Sequence, residues 1–129
     1  EVIDFGASEY DENDDYPDFV SLVAREVSRN PANVKGIILG GSGQGEAMVA
    51  NRYSHVRVTV FYGDRASLVD GESIVEISKA HNDSNILSIG SRFVSNEEAI
   101  QAVVKWLETP FSNNERHKRR IVKMEKIND

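Results

Sequence analysis

The chain has 129 residues, of which 40% are hydrophobic and 28% are charged, and its formal net charge is −6 at pH 7. This length and composition fit one globular domain with a modest core. The absence of cysteine excludes disulfides, thiolate metal sites and a cysteine nucleophile. The apolar runs are far too short to cross a membrane and no basic-then-apolar leader opens the sequence, so we expect a cytoplasmic protein.

Charge is distributed unevenly along the chain. Residues 1–20 hold eight acidic residues and no basic one, whereas residues 116–129 hold six basic residues against two acidic ones. A basic end on an acidic protein is typical of a phosphate site, a self-association surface or a nucleic-acid tail. No aromatic residue lies among the basic ones to stack on a base, so the sequence disfavours nucleic-acid binding.

Predicted strands and helices alternate along the chain. The predicted strands cover residues 1–5, 34–39, 56–61 and 85–90. The predicted helices begin near Pro17 and then cover residues 46–52, 72–80, 95–107 and a basic segment after Pro110. Such alternation with short loops indicates right-handed β-α units on a parallel sheet. We therefore expect one α/β domain over residues 1–129, a three-layer α/β/α Rossmann-like sandwich around a mostly parallel sheet, with a basic C-terminal helix within residues 112–129.

Three local patterns specify parts of these elements. The first helix repeats apolar residues at helical spacing, which predicts a buried face made of Phe19, Leu22, Val23 and Val27. The continuous apolar run at residues 34–39 is typical of a strand that is buried on both faces. Ser95 with Glu98 three residues later forms a capping-box signature.

The most distinctive segment is the glycine-rich run at residues 40–46, which follows the second predicted strand. It contains Gly41, Ser42, Gly43 and Gly45 and ends on Glu46 in the first turn of the next helix. Glycine permits the dihedral angles with which backbone N–H groups converge on an anion. A carboxylate beside such a loop suits proton transfer next to a developing oxyanion better than it suits phosphate capture.

This loop matches neither of the common nucleotide-binding motifs. The third glycine of the dinucleotide fingerprint is replaced by Glu46, and no Gly-Lys-Ser/Thr follows as in a P-loop. From the pattern alone, a tight strand-to-helix turn with a surface glutamate explains the segment about as well as an active site does.

The three histidines are dispersed in the sequence. His81 and Asn82 lie at a predicted helix end, where both residue types commonly terminate a helix. His55 falls in a turn, where we expect solvent exposure, and His117 lies in the basic segment, facing either phosphate or water. Without close carboxylates these histidines do not form a metal site, so we expect no metal.

Two further sites carry candidate ligand-binding residues. Arg116 and Arg120 lie four residues apart, on one face of a helix, where two guanidinium groups can grip a phosphate, although a solvated basic face is the common alternative. Asp15 and Tyr16 precede Pro17, and this segment either lines a ligand site or simply enters the helix.

Together these motifs resemble the family of type B ribose-5-phosphate isomerases and galactose-6-phosphate isomerase subunits. The resemblance runs through nearly the whole chain: residues 1–6, Asp15-Tyr16-Pro17, residues 36–46, Ala50-Asn51-Arg52, residues 81–85, Thr109-Pro110-Phe111 and Arg116-His117. Many members carry a catalytic cysteine at the position of Gly40. This sequence is similar to the branch in which a glutamate, here Glu46, is the base.

The resemblance implies a role for each candidate residue. Ser42 and the N–H groups of Gly41, Gly43 and Gly45 would stabilise an enediolate. His81 would open the sugar ring with Asn82 beside it, and Asp15 and Tyr16 would line the sugar site. Arg116 and Arg120 would bind the substrate phosphate and reach the site from a partner subunit.

The implied activity is the interconversion of ribose 5-phosphate and ribulose 5-phosphate, a step of carbohydrate metabolism in the pentose phosphate pathway. It would need no cofactor and would take place in a homodimer, or a tetramer, with sites shared between subunits. The alternatives are an isomerase of a hexose 6-phosphate such as galactose or allose 6-phosphate, or a sugar-phosphate-binding protein without catalysis.

Two departures from the family pattern bear on these alternatives. Family members open with a strand that ends in an Asp-His pair, followed by a helix, before the segment that corresponds to residues 1–5. This β-α unit is absent from the present sequence. The segment at residues 62–76 also looks longer than is usual in the family, near residues 68–73, which would reshape the sugar pocket.

Overall fold

A computed structural model describes residues 1–128 of the chain. In chain order its elements are α1 (Tyr16–Arg29), β1 (Gly36–Gly40), α2 (Gln44–Ala50), β2 (Val58–Phe61), α3 (Ile74–Asn82), β3 (Ile86–Gly90), α4 (Asn96–Glu108), α5 (Glu115–Glu125) and a 3-10 turn (Lys126–Asn128). The alternation that the sequence predicts is therefore confirmed from α1 onward.

The sheet has three parallel strands in the order β1-β3-β2. Strand β3 pairs with β1 from Gly36↔Ile86 to Gly40↔Gly90 and with β2 from Val58↔Ile86 to Phe61↔Ile89. All five residues of β3 are buried, which is the expected state of a central strand covered on both faces. The carboxyl ends of β1 and β3 consequently meet at one edge of the sheet.

Helices cover the two faces of the sheet and give the predicted three layers. On one face, α1 and α2 pack on the sheet in a cluster that includes Val20, Ala24, Val27, Ile38, Ala50 and Ile86. On the other face, α3 and α4 enclose Phe61, Val75, Leu87, Ile89, Ala102 and Trp106. Because successive β3 side chains point to opposite faces, Ile86 joins the first cluster and Leu87 the second.

Three details of the sequence-based prediction are wrong. Residues 1–5 form no strand, since among the described residues no strand lies beside them to form a ladder, and Val2 is fully exposed. The buried face of α1 is made of Val20, Ala24 and Val27, so Val27 is buried as predicted and Val23 packs against the cluster, whereas Leu22 is exposed. Strand β1 is buried on one face only, because α3 and α4 cover β2 and β3 and leave Leu39 66% exposed.

Polar groups under the sheet are satisfied by a small hydrogen-bond network. The Ser84 hydroxyl accepts hydrogen bonds from Thr59 Oγ1 at 2.7 Å and from Trp106 Nε1 at 3.2 Å, and it donates to the Ile86 carbonyl. The buried Trp106 ring also lies under the Lys79 ammonium, 5.0 Å from the ring centroid. Trp106 thus joins α4, α3 and β3 through both apolar and polar contacts.

Trp106→Ala is expected to lower the free energy of unfolding by about 3–5 kcal/mol, because it leaves a cavity in the second cluster and removes one hydrogen bond to the Ser84 hydroxyl. Urea denaturation followed by circular dichroism measures the loss. Leu107→Ala, on the exposed side of the same helix, is the matched control and is expected to cost less than about 1 kcal/mol. Equal losses in the two variants would contradict this account of the core.

Candidate active site

The glycine-rich loop lies at the carboxyl end of β1, between the strand and α2. Gly43 has a φ of 75°, in the left-handed region that favours glycine, and serves as the N-cap of α2. Its carbonyl accepts a hydrogen bond from Ser88 Oγ of β3 at 2.7 Å. The Ser42 side chain is exposed, and its hydroxyl accepts a hydrogen bond from the Gln44 N–H at 3.3 Å. The loop is therefore anchored to the central strand while Ser42 faces outward.

Glu46 is buried in the first turn of α2, with only 7% of the residue exposed. Its carboxylate lies directly against the Cα of Gly40, at a place where any side chain on residue 40 would collide with both carboxylate oxygens and the carbon between them. A surface glutamate, the simpler alternative at the level of sequence, is thereby excluded. Gly40 is small because the Glu46 carboxylate occupies the space that a side chain would fill.

The segment before α1 reaches the same loop. The Tyr16 hydroxyl packs against Gly45 so closely that a Cβ there would collide with it, while about half of the tyrosine remains exposed. Asp15 is the exposed N-cap residue of α1 and makes no side-chain capping bond. The structure therefore brings Tyr16 to the glycine-rich loop, with Asp15 as its exposed neighbour in the chain.

Arg92 belongs to this edge of the sheet and was missed by the sequence analysis. It follows β3 by two residues, its N–H donates to the Gly41 carbonyl at 3.1 Å, and its guanidinium lies beside the Gly41 Cα. It adds a positive charge next to the loop. A basic residue directly after a strand that ends in glycine, as in Gly90-Ser91-Arg92, was the signal that could have found it.

The remaining candidate residues form a second cluster, built from the end of α3 and the beginning of α5. His81 and Asn82 lie in the last turn of α3, and Arg116 and Arg120 are exposed on α5. Helix α5 begins at Glu115, where the Asn114 side chain caps the N–H of Arg116 at 3.1 Å. The four residues therefore share one region of the surface.

His117 lies at the centre of the second cluster and is buried, with 4% of the residue exposed, rather than solvated or free to bind phosphate. Its ring stacks on that of His81 with 4.3 Å between centroids and 31° between planes. Burial lowers the pKa of His117, and the nearby His81, Arg116 and Arg120 lower it further. His117 is therefore held in its neutral form at neutral pH.

Arg57 ties the second cluster to the sheet. Its guanidinium donates to the Asn82 and Asp83 carbonyls at the end of α3, at 2.9 and 3.0 Å, and pairs with Glu125 of α5 at 2.7 Å. The other oxygen of Glu125 lies 2.7 Å from Nδ1 of the exposed His55. Arg57 thus caps α3 and connects it to α5, and the sequence analysis did not identify this role.

The two clusters lie at opposite edges of the sheet. The glycine-rich loop follows the carboxyl ends of β1 and β3, whereas His81 and Asn82 precede the amino end of β3. Strand β3 alone spans about 13 Å at the usual rise per residue. Glu46 and His81 of one chain therefore do not share a site.

The described part of the chain offers neither a metal-binding cluster nor a membrane-spanning helix. Residues 1–128 contain no group of three or more histidine, aspartate or glutamate side chains arranged to hold a metal ion. No helix among these residues is long and apolar enough to span a membrane.

The contact between Gly40 and Glu46 predicts a non-additive pair of substitutions. Gly40→Ala forces the carboxylate to move and is expected to destabilise the protein by about 1–3 kcal/mol. In a Glu46→Ala background the same change should cost almost nothing, because the colliding group has been removed. Thermal denaturation of the wild type, both single variants and the double variant measures the coupling, and additive losses would contradict the contact.

Comparison with known proteins covers nearly the whole chain. Residues 1–124 match the family model described as Ribose/Galactose Isomerase. The probable ribose-5-phosphate isomerase B of Mycoplasma genitalium is 38% identical over 123 residues, which are 95% of this chain and 75% of that protein. Ribose-5-phosphate isomerase B of Mycobacterium tuberculosis is 36% identical over 121 residues, 94% of this chain and 69% of that protein.

Solved structures show the same fold. Ribose-5-phosphate isomerase B of Mycoplasma genitalium, determined with bound ribulose-5-phosphate, superposes with a TM-score of 0.85 at 33% identity, covering 98% of this chain and 77% of that one. The Clostridium thermocellum enzyme gives a TM-score of 0.83 at 35% identity, covering 99% and 79%. The resemblance inferred from the motifs is confirmed, and the chain belongs to the ribose/galactose isomerase family.

Proposed function

We propose that this chain is an aldose–ketose isomerase that interconverts ribose 5-phosphate and ribulose 5-phosphate through an enediolate, with Glu46 as the base. The observation that carries the proposal is the burial of the Glu46 carboxylate against Gly40, inside a glycine-rich loop at the carboxyl end of β1. A buried carboxylate beside converging backbone N–H groups can take a proton where negative charge develops on oxygen.

In this mechanism Glu46 removes the proton from C2 of the open-chain aldose and returns it to C1. The negative charge that appears on the sugar oxygens is stabilised by Ser42 and by the N–H groups of Gly41, Gly43 and Gly45. Fixed dipoles of this kind are effective because they need no reorganisation when the charge develops. Tyr16, which packs against Gly45, and its neighbour Asp15 line the sugar-binding region.

The second cluster supplies the other functions that the reaction needs. His81, with Asn82 beside it, opens the furanose ring, and Arg116 and Arg120 bind the phosphate through charge-assisted hydrogen bonds. Their position at the far edge of the sheet from Glu46 supports a site that is completed by a second subunit. We therefore propose a homodimer in which each site combines the glycine-rich loop of one chain with α3 and α5 of its partner.

The pentose is favoured over a hexose phosphate as substrate. Seven relatives at 35–38% identity carry the name ribose-5-phosphate isomerase B. The sequence analysis describes the loop after β2 as longer than is usual in the family. In the structure an antiparallel bridge between Ala66 and Ser73 closes this loop on itself, and Leu68 within it is fully exposed.

Glu46→Gln is expected to reduce kcat for ribose 5-phosphate by about 10²- to 10⁴-fold, because the amide cannot accept the C2 proton. Binding of ribose 5-phosphate, measured by isothermal titration calorimetry, should change little because the phosphate contacts are intact. Glu97→Gln on the exposed first turn of α4 is the control and should retain full activity. Turnover by Glu46→Gln at the wild-type rate would refute Glu46 as the base.

Mixing two defective variants tests whether the site is shared. Glu46→Gln and the Arg116→Gln/Arg120→Gln double variant should each be inactive when substrate is well below the wild-type KM. Unfolding and refolding them together forms heterodimers in which one of the two sites is entirely native, restoring about a quarter of wild-type activity in an equal mixture. If each site lay within one subunit, heterodimers would contain no native site and the mixture would remain inactive.

A further inference from the structure

We propose that His117 is a positioning residue that holds the His81 imidazole in the orientation needed for ring opening. The proposal rests on the proposed role of His81. It starts from the stacked pair of rings, which joins the last turn of α3 to the first turns of α5. His81 is only half-buried, whereas His117 behind it is almost completely buried.

His117 is itself fixed by a second residue. Its Nδ1 lies 2.7 Å from Ser112 Oγ, a hydrogen bond that holds the ring in place. The Ser112 N–H donates to the Ala80 carbonyl at 3.0 Å, in the helical turn that carries His81. The loop before α5 is therefore bonded both to the supporting ring and to the helix that bears the supported one.

A neutral supporting ring suits this role. His81 must be able to carry a proton if it is to transfer one to the ring oxygen, and a charged neighbour at 4.3 Å would oppose that protonation. Burial keeps His117 uncharged, while the positive charges of this cluster remain on the exposed Arg116 and Arg120, one residue before His117 and three residues after it. One helix thus carries both the phosphate contacts and the support for His81.

The orientation of His81 can be measured without substrate. The chain has only three histidines, so their ring-proton NMR signals can be assigned. His117→Phe keeps an aromatic ring against His81, and His117→Ala removes it. We expect the nuclear Overhauser contacts of the His81 ring protons with the rest of α3 to change in His117→Ala and to stay close to wild type in His117→Phe, with those of His55 unchanged in both. His81 contacts of this kind that are the same in His117→Ala and in wild type would overturn the proposal.

The catalytic consequence is tested with two substrates. The 4-deoxy analogue of ribose 5-phosphate lacks the hydroxyl that closes the furanose ring, so its isomerisation needs no ring opening. We expect His117→Ala to lower kcat on ribose 5-phosphate by about tenfold to a hundredfold and to leave the analogue's rate within about threefold of wild type. His117→Phe should recover most of the loss, and Arg119→Ala on the same helix is the control.

Each result distinguishes this inference from the proposed function. Equal losses of activity on both substrates, or no loss on either, would overturn the role of His117. Turnover of ribose 5-phosphate by the wild-type chain would in that case still support the proposed isomerase activity. A wild-type chain inactive on ribose 5-phosphate would instead refute the proposed function. If His117→Ala does not fold, Ser112→Ala takes its place: a loss confined to ribose 5-phosphate supports the proposal, and wild-type rates on both substrates overturn it.

Discussion

The buried central strand β3 is the constraint on which the rest of this structure depends. It is hydrogen-bonded to a parallel strand on each side, and its alternating side chains anchor both apolar clusters. Because a parallel strand in the middle of a sheet must be covered on both faces, α1 and α2 lie on one side and α3 and α4 on the other. Residues that directly precede β3 in the chain therefore lie at the amino edge of the sheet, and residues that directly follow it lie at the opposite, carboxyl edge.

The chemistry at the carboxyl edge follows from one close contact. The Glu46 carboxylate takes the space above Gly40, so the missing side chain and the buried acid are two parts of the same arrangement. Ser88 of the central strand anchors the loop through the Gly43 carbonyl, which ties the loop to β3. The proposed base and the loop proposed to stabilise the oxyanion are therefore held together by packing within a single strand-loop-helix segment.

The amino edge is organised differently, by contacts between distant segments. Arg57 caps the carbonyl groups at the end of α3 and pairs with Glu125 of α5, while the stacked His81 and His117 rings join the same two helices nearer the start of α5. These contacts hold the His81 ring at the same edge as the exposed Arg116 and Arg120. This edge lies across the sheet from the glycine-rich loop of the same chain, which is the observation on which the proposal of a shared site rests.

The alternation of strands and helices, and the pairing of a glycine-rich turn with Glu46, were predictable because they depend on residues close together in the sequence. The strand predicted at residues 1–5 failed because a strand exists only where a neighbour accepts its hydrogen bonds. Local patterns also left open whether Glu46 faced solvent and where His117 pointed. Packing between segments far apart in the chain decided both, burying the carboxylate against Gly40 and the imidazole against His81.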